Sequence, residues 1–303
     1  MFYESNSCGQ RQLRKQGDDR LFASAALILM TSVTIVGACH ADTTSKPKSD
    51  KSCDIAAAVV DPGDPWPFPK SWYLSPEQSA KVMVGMTPPA DDEQDLRELE
   101  TAADLAQSTP NCQRALGEQK YTNFAAFFGI DAAGKELLTA KEIEIWLPLM
   151  ARIRVEQDII TWPYKDTTDA HAIHRDRPFV AYQTPPHSLH VCPGTKGIAD
   201  PAHVTPEEAS EYQKSHGMSF PSAHASESEA QARVLGAIYP SKKQRLLERA
   251  RQIGMDREIL RVHFPSDVSV GSTIGDRIAD ELLNSPRFLA DLDAIKVCKH
   301  AGE

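Results

Sequence analysis

Two residues in the C-terminal third of the chain have the types and spacing of a catalytic pair. His263 and Asp267 are four positions apart, which on a helix would place them on one face. Asp267 could then hold one ring nitrogen of His263 and leave the other free to attack, as the orienting carboxylate of a catalytic triad does. Pro265 lies between them, so we expect the helix to bend or restart there. The pair predicts nucleophilic catalysis, with a capped structural histidine as the alternative.

A second group of residues lies upstream, where positions 220–224 read Phe-Pro-Ser-Ala-His. The composition from Ala223 onward favours a helix. The unpaired N–H groups and the dipole at a helix N-terminus favour a bound anion. We therefore expect Ser222 and the N–H of Ala223 to bind an anion, and the alternative for Ser222 is a simple helix cap.

Taken together with an Arg-Pro pair at 177–178, these groups form a three-part pattern that resembles a known family. The third part reads Arg257, five residues, His263, three residues, Asp267. In order and spacing the pattern resembles the class A bacterial nonspecific acid phosphatases of the type 2 phosphatidic acid phosphatase and vanadium haloperoxidase superfamily. Their signature is Lys, six residues, Arg-Pro; then Pro-Ser-Gly-His; then Ser-Arg, five residues, His, three residues, Asp. The resemblance covers roughly residues 88–285.

The resemblance implies a role for each matching residue. His263 would form a phosphohistidine intermediate, and His224 would protonate the leaving group. Arg177 and Arg257 would hold the phosphate, for which planar guanidinium groups offer bidentate donors. The implied activity needs no metal or other cofactor.

Three positions depart from the family signature. Ala170 stands where the family has Lys, Ala223 where it has Gly, and Asp256 where it has Ser. Either Lys165 or a protonated His171 could replace the missing lysine. Ala223 keeps its N–H, so anion binding survives unless the backbone there needs a positive φ. We expect Asp256 to cap its helix instead of facing the phosphate.

The elements that must position these residues are predicted to be helices. Apolar residues recur at helical spacing over 91–106, 121–128 and 136–160, and strand-like alternation is absent. Thr205-Pro206 is a typical helix start. One apolar stripe is predicted for the long third segment at Ile143, Leu147, Met150 and Ile153. The fold class is therefore all-α, a single helical bundle domain over residues 88–303, as the resemblance also implies.

The N-terminal part predicts export and a tether. Basic residues precede an uncharged, mostly apolar run over 21–38, which ends in Val-Gly-Ala before Cys39. This ending resembles the bacterial lipoprotein box, so residues 1–38 are predicted to be an export signal and Cys39 to be lipidated. A plain cleaved signal peptide and an uncleaved anchor are the alternatives. Residues 39–87 are predicted to be a lipid-anchored polar and proline-rich tether, with the chain becoming ordered near residues 72–74.

The cysteines, histidines and net charge bear on disulfides, metal binding and nucleic-acid binding. Disulfides are expected among Cys53, Cys112, Cys192 and Cys298, with the pairing open. Two His-x-x-His pairs, at 171/174 and 187/190, lack a further ligand at a recognised spacing, so we expect no metal site. The net charge of -9 argues against non-specific nucleic-acid binding.

The function implied is a metal-independent phosphomonoesterase acting on small phosphorylated metabolites in the periplasm. We expect it to be lipid-anchored to the outer membrane, and a homo-oligomer is left open. Two alternatives remain. A vanadate-dependent haloperoxidase would use the same anion pocket, and a phosphate-binding lipoprotein would have lost activity with the lysine.

Overall fold

The computed structural model describes residues 71–89, 92–106, 108–118, 124–181, 192 and 205–301. The predicted export signal, Cys39 and the tether up to residue 70 lie outside this part of the chain. The described part is helical, and its only strand-like feature is an isolated bridge between Ile130 and Glu136. The all-α prediction is confirmed. None of the described helices is long and apolar enough to cross a membrane.

The described residues form the following α-helices: α1 (Pro76–Met83), α2 (Asp92–Ala106), α3 (Thr109–Gly117), α4 (Phe124–Phe128), α5 (Ala140–Thr161), α6 (Pro178–Ala181), α7 (Pro206–His216), α8 (Ala223–Ile238), α9 (Lys243–Ile259), α10 (Pro265–Leu283) and α11 (Pro286–Ala301).

Helix starts agree with the sequence prediction at two positions that frame the site. Thr205 caps α7, where its side chain accepts from the N–H of Glu208 and Glu208 returns a bond in a capping box. Ser222 caps α8, and its hydroxyl accepts from the N–H of Ala225 at 3.4 Å. Local capping chemistry therefore fixes where both helices begin.

The apolar stripe predicted for α5 is only partly correct. Met150 and Ile153 are fully buried, but Leu147 is 44 % exposed. Trp146 and Leu149 take the inner positions instead. Helical spacing alone does not determine which side of a long helix is buried. For α5, packing against α8 and α4 determines it.

Helix α8 occupies the centre of the domain and packs against α5, α9 and α10. The approach of α10 depends on two glycines. A Cβ at Gly271 would lie 2.5 Å from the carbonyl oxygen of Ser222, and one at Gly275 would lie 2.3 Å from that of Ser226. Glycine therefore lets α10 lie directly against the N-terminal half of α8.

A short connection between α9 and α10 carries the predicted nucleophile. Arg261 adopts a left-handed conformation with φ of 59°, and its side chain is buried. Helix α10 then starts at Pro265, so the helix restarts at this proline as predicted. His263 consequently precedes the helix, and the prediction that it shares a helix face with Asp267 is wrong.

Residues 71–87, which the sequence analysis assigned to the tether, pack against the helical domain. Tyr73 and Leu74 belong to the main core, and the N–H of Tyr73 donates to Glu156 at 2.7 Å. The chain is ordered around residues 72–74 as expected. The predicted domain boundary at residue 88 is too late, because apolar side chains before it already belong to the core.

Candidate active site

One cavity of about 80 Å³ brings together four of the predicted site residues. It lies between α7, the start of α8, the end of α9 and the 260–264 connection. The described residues that line it are Arg177, Tyr212, His216, His224, Arg257, Val262 and His263. The two arginines and two histidines predicted to handle a phosphate ester therefore meet in space, although their positions span 86 residues.

The ring of His263 is held between an arginine and a carboxylate. Its Nε2 lies 3.4 Å from Nη1 of Arg177. Its Nδ1 faces Oδ2 of Asp267 at 3.7 Å. Since the carboxylate side favours a proton on Nδ1, the Nε2 lone pair accepts from Arg177 at the cavity that both residues line. This is the arrangement that nucleophilic attack by Nε2 requires.

Asp267 is a fixed acceptor behind His263. Its Oδ2 accepts from the hydroxyl of Ser219 at 2.5 Å and from the N–H of Phe264 at 2.9 Å. Its Oδ1 accepts from Arg175 at 2.6 Å. Burial opposes the charged form, but His263, Arg175 and Ser219 outweigh it and lower the pKa of Asp267 to about 2. Asp267 is therefore an anion throughout the physiological range.

The imidazole of His263 is neutral in this environment. Burial, together with the positive charges of Arg177 and Lys165, lowers its pKa to about 3 even though Asp267 acts in the opposite direction. A neutral imidazole is the form that can act as a nucleophile.

His224 lies in the first turn of α8 on another side of the cavity. Its ring hydrogen-bonds the backbone of Glu118, and burial together with Arg257 and His263 lowers its pKa well below the usual range. An acid must carry a proton, so His224 can fill that role only when a bound anion offsets these neighbouring positive charges.

The end of α3 and Glu118, the residue that follows this helix, hold Arg257 in place. Arg257 donates through Nη2 to the carbonyl of Ala115 at 2.7 Å and lies 3.4 Å from Oε2 of Glu118. The other carboxylate oxygen of Glu118 binds Arg249, which also donates to the carbonyl of Phe127 at 2.9 Å. Burial raises the pKa of Glu118 to about 7, although the positive charges of Arg249 and Arg257 act to lower it. Glu118 therefore contacts Arg257 by its side chain and His224 by its backbone.

The prediction for Asp256 is wrong. Asp256 lies inside α9 and caps no helix. It is fully buried and accepts two hydrogen bonds of 2.8 Å from Arg114 of α3. This bidentate pair turns the carboxylate away from the cavity, so it does not repel a phosphate there.

A disulfide between Cys112 and Cys192 also attaches α3 to the rest of the domain, which resolves one of the open cysteine pairings.

Arg177 presents its charge to the cavity while most of its N–H groups bind backbone carbonyls. It donates to the carbonyls of His216 and Gly217 at 3.0 Å and of Val262 at 2.8 Å. The guanidinium is thereby locked against the rim of the cavity. Arg177 therefore places a fixed positive charge beside His263.

Ser222 and Ala223 lie at the predicted helix N-terminus but do not line the cavity. Both are buried, and the Ser222 hydroxyl acts as the cap of α8. Ala223 has ordinary helical conformation, so its methyl group imposes no backbone strain. The positive end of the α8 dipole still lies close to His224, which is in the first turn of this helix.

Neither proposed replacement for the family lysine reaches the cavity. Ala170 itself is exposed. Lys165 is buried and donates to the carbonyls of Met218 at 2.5 Å and Pro221 at 2.9 Å. His171 is largely exposed and pairs with Asp169 at 2.8 Å. Lys165 instead ties down the loop that leads into α8.

Three lining residues were missed in the sequence analysis: Tyr212, His216 and Val262. Tyr212 and His216 are four positions apart on α7, a helix whose start at Thr205-Pro206 was predicted. No local pattern distinguishes these two residues from ordinary surface positions of an amphipathic helix. Only the return of the chain from α7 to α8 places them at the cavity.

No group of three or more histidine, cysteine or carboxylate side chains in the described ranges is arranged to hold a metal. His171 and His174 are exposed, whereas His187 and His190 lie outside the described residues.

A comparison with protein families matches residues 166–283 to a family model described as the PAP2 superfamily. The match runs from the segment before Arg177 to the end of α10. It includes every predicted site residue except Cys39, whereas α3 and Glu118 lie outside it.

Proposed function

We propose that this chain, which carries a PAP2 superfamily domain, is a phosphomonoesterase that hydrolyses small phosphate esters through a phosphohistidine. The superfamily includes phosphatases and haloperoxidases. One observation carries the proposal: a neutral histidine backed by a buried carboxylate shares a small cavity with two arginines and a second histidine.

In the first half-reaction the phosphoryl group of the ester lies between Arg177 and Arg257. Nε2 of His263 attacks phosphorus, and the bond between phosphorus and the leaving oxygen breaks. The leaving oxygen takes the proton from His224. Fixed positive charges suit this transfer, because negative charge is spread over the equatorial phosphoryl oxygens in the transition state.

In the second half-reaction His224, now neutral, accepts a proton from a water molecule. The resulting oxygen nucleophile attacks phosphorus, the P–N bond breaks, and its electrons return to Nε2 of His263. His263 is then neutral and His224 protonated, as at the start of the first half-reaction. Once inorganic phosphate leaves, His224 releases its proton, and binding of the next ester dianion brings a proton back to it. Asp267 stabilises the positive charge that develops on His263 during phosphoryl transfer.

The direct test is to trap the covalent intermediate. Rapid acid-free quenching of the protein with a radiolabelled aryl phosphate should give label that is stable in alkali and lost in acid, as expected of a phosphoramidate. His263→Ala should abolish both label and turnover, and the exposed His171→Ala serves as the control. Label that survives in His263→Ala would exclude His263 as the nucleophile. Activity should persist after treatment with a metal chelator.

A separate test addresses His224. His224→Ala should reduce hydrolysis of alkyl phosphates far more than that of p-nitrophenyl phosphate, because an activated phenol leaves with little need of an acid. Equal losses on both esters would remove His224 from the acid role.

Vanadate should act as an inhibitor of hydrolysis. Halide oxidation by the vanadate complex would instead favour the haloperoxidase alternative.

The proposal includes export and lipidation at Cys39. Support comes from the sequence, in the basic residues before the apolar run over 21–38 and the Val-Gly-Ala that precedes Cys39. His40 follows, not the aspartate associated with retention in the inner membrane, so outer-membrane anchoring is the expected location. A labelled fatty acid should be incorporated by the wild type and not by Cys39→Ser. Recovery of all wild-type protein in the soluble periplasmic fraction would contradict lipidation.

A further inference from the structure

The cavity has a closed end and an open side. Arg177, His224, Arg257 and His263 are each 6 % exposed or less. Of the described residues that line the cavity, only Tyr212 and His216 of α7 have substantial solvent contact. Among the described residues, these two rings are therefore the ones that the leaving group of a phosphoryl group held at the closed end would pass.

The two rings form a preorganised aromatic surface. Their centroids are 4.0 Å apart and their planes differ by 9°, so the rings are stacked. Nδ1 of His216 lies 2.7 Å from the hydroxyl of Ser215, which fixes the orientation of the imidazole. Phe179 packs its ring against Tyr212 in a T-shaped contact at 5.4 Å. Little conformational freedom remains to be lost when a ligand ring packs here.

Charge in this part of the cavity comes from Arg177, whose guanidinium lies 5.1 Å from the centroid of the Tyr212 ring. Burial, followed by the nearby charge of Arg177, lowers the pKa of His216, while a bond to the Tyr212 backbone acts against this. His216 is therefore neutral at neutral pH. Its ring offers an aromatic contact and not a second positive charge for the phosphate.

We propose that the Tyr212–His216 stack is a leaving-group subsite that favours phosphate monoesters with a planar aromatic leaving group over those with an alkyl one. The inference rests on the proposed hydrolase function, since it assigns the part of the ester that His263 displaces. Aromatic pairs add about 0.5 to 1.5 kcal/mol beyond simple burial, which is about twofold to twelvefold. An alkyl leaving group gains none of this additional contact.

The test compares phenyl phosphate with glycerol 2-phosphate in three variants. His216→Ala should lower the aryl-to-alkyl ratio of kcat/KM about twofold to twelvefold. His216→Phe keeps a ring and should retain most of the ratio. Lys214→Ala, exposed on the same helix, is the matched control and should leave the ratio unchanged. The backbone carbonyl of His216 that binds Arg177 is present in every variant, and comparing two esters within one variant cancels differences in overall activity.

Binding of non-hydrolysable phosphonates separates this inference from the proposed reaction. The wild type should bind phenylphosphonate more tightly than methylphosphonate, and His216→Ala should remove most of the difference. If the wild type binds both phosphonates yet hydrolyses no ester, the proposed reaction fails while the subsite remains. Equal affinity for the two phosphonates, or an aryl-to-alkyl ratio that is the same in His216→Ala and wild type, would overturn the subsite.

Discussion

Anion binding should make the protein take up a proton. In the free protein His224 and His263 are both neutral at pH 7, because burial and nearby cations lower the pKa of His263 to about 3 and that of His224 well below its usual range. Tungstate resembles a phosphate dianion and carries no proton at neutral pH. Its two negative charges would lie beside His224 and Arg257 in the closed end of the cavity.

The size of the effect follows from Coulomb's law. At about 4 Å and an effective dielectric constant of about 20, one unit of negative charge favours the protonated imidazole by about 4 kcal/mol. This corresponds to roughly a thousandfold change in the protonation equilibrium for each unit charge. A dianion is therefore expected to shift His224 strongly toward the protonated form, and the part of the uptake that depends on His224 should approach one proton per tungstate bound.

Isothermal titration calorimetry in two buffers of different ionisation enthalpy measures this uptake. The slope of the observed enthalpy against the buffer enthalpy gives the number of protons taken up. His224→Ala should lower this slope by about one proton relative to the wild type, whereas His171→Ala should preserve it, since His171 is exposed and outside the cavity. If the binding enthalpy of the wild type does not depend on the buffer, anion binding does not protonate His224 and the reasoning is refuted.

Further expectations concern kinetics and stability. The value of kcat/KM should fall as pH rises above neutrality, because His224 must acquire a proton for each turnover, and a profile flat from pH 6 to 8 would contradict this. Glu118→Ala removes the carboxylate from two buried arginines, which typically costs about 3 to 5 kcal/mol, and thermal denaturation should show a large loss that the exposed Glu144→Ala does not. Glu227 is buried, and burial raises its pKa to about 8. Its folded-state pKa exceeds the unfolded value, so its contribution to stability is complete below about pH 4.5 and is lost as pH approaches 8. Glu227→Gln should therefore gain stability relative to wild type between pH 5 and 8, and a difference that is constant with pH would contradict a buried proton. Ala170→Lys should change kcat/KM for a phosphate ester by less than about twofold, because a surface charge outside the cavity is strongly screened, and a large gain would mean that the new lysine reaches the phosphate.

Several features of the site follow from the sequence because they depend on neighbouring residues. Ser222 caps α8 and Thr205 caps α7, since a side-chain oxygen needs only the N–H groups of the next turn. The restart of the helix at Pro265 is likewise a local backbone effect. The three-part pattern of arginines and histidines predicts the residues that meet in the cavity, although it assigns Ser222 and Ala223 to the anion site and they lie beside it.

Other features were decided only by the tertiary structure. Asp256 was expected to cap a helix, and it instead forms a bidentate pair with Arg114, 142 positions away. The support of Arg257 by Glu118 spans 139 positions. Neither pairing produces a periodic signal in the sequence, because the energy of a buried ion pair depends on which helices pack together and not on the residues adjacent in the chain.

The same distinction separates the chemistry of the cavity from its selectivity. Residue types and spacing predicted His263 and Asp267 as a nucleophile and its partner, a role that stays a proposal. The fold determined that both histidines are neutral in the free protein, because burial and the charges of Arg177 and Arg257 act only once the helices enclose them. It also brought Tyr212 and His216 to the cavity, where Phe179 of α6 packs against Tyr212 and supports the surface proposed to contact the leaving group.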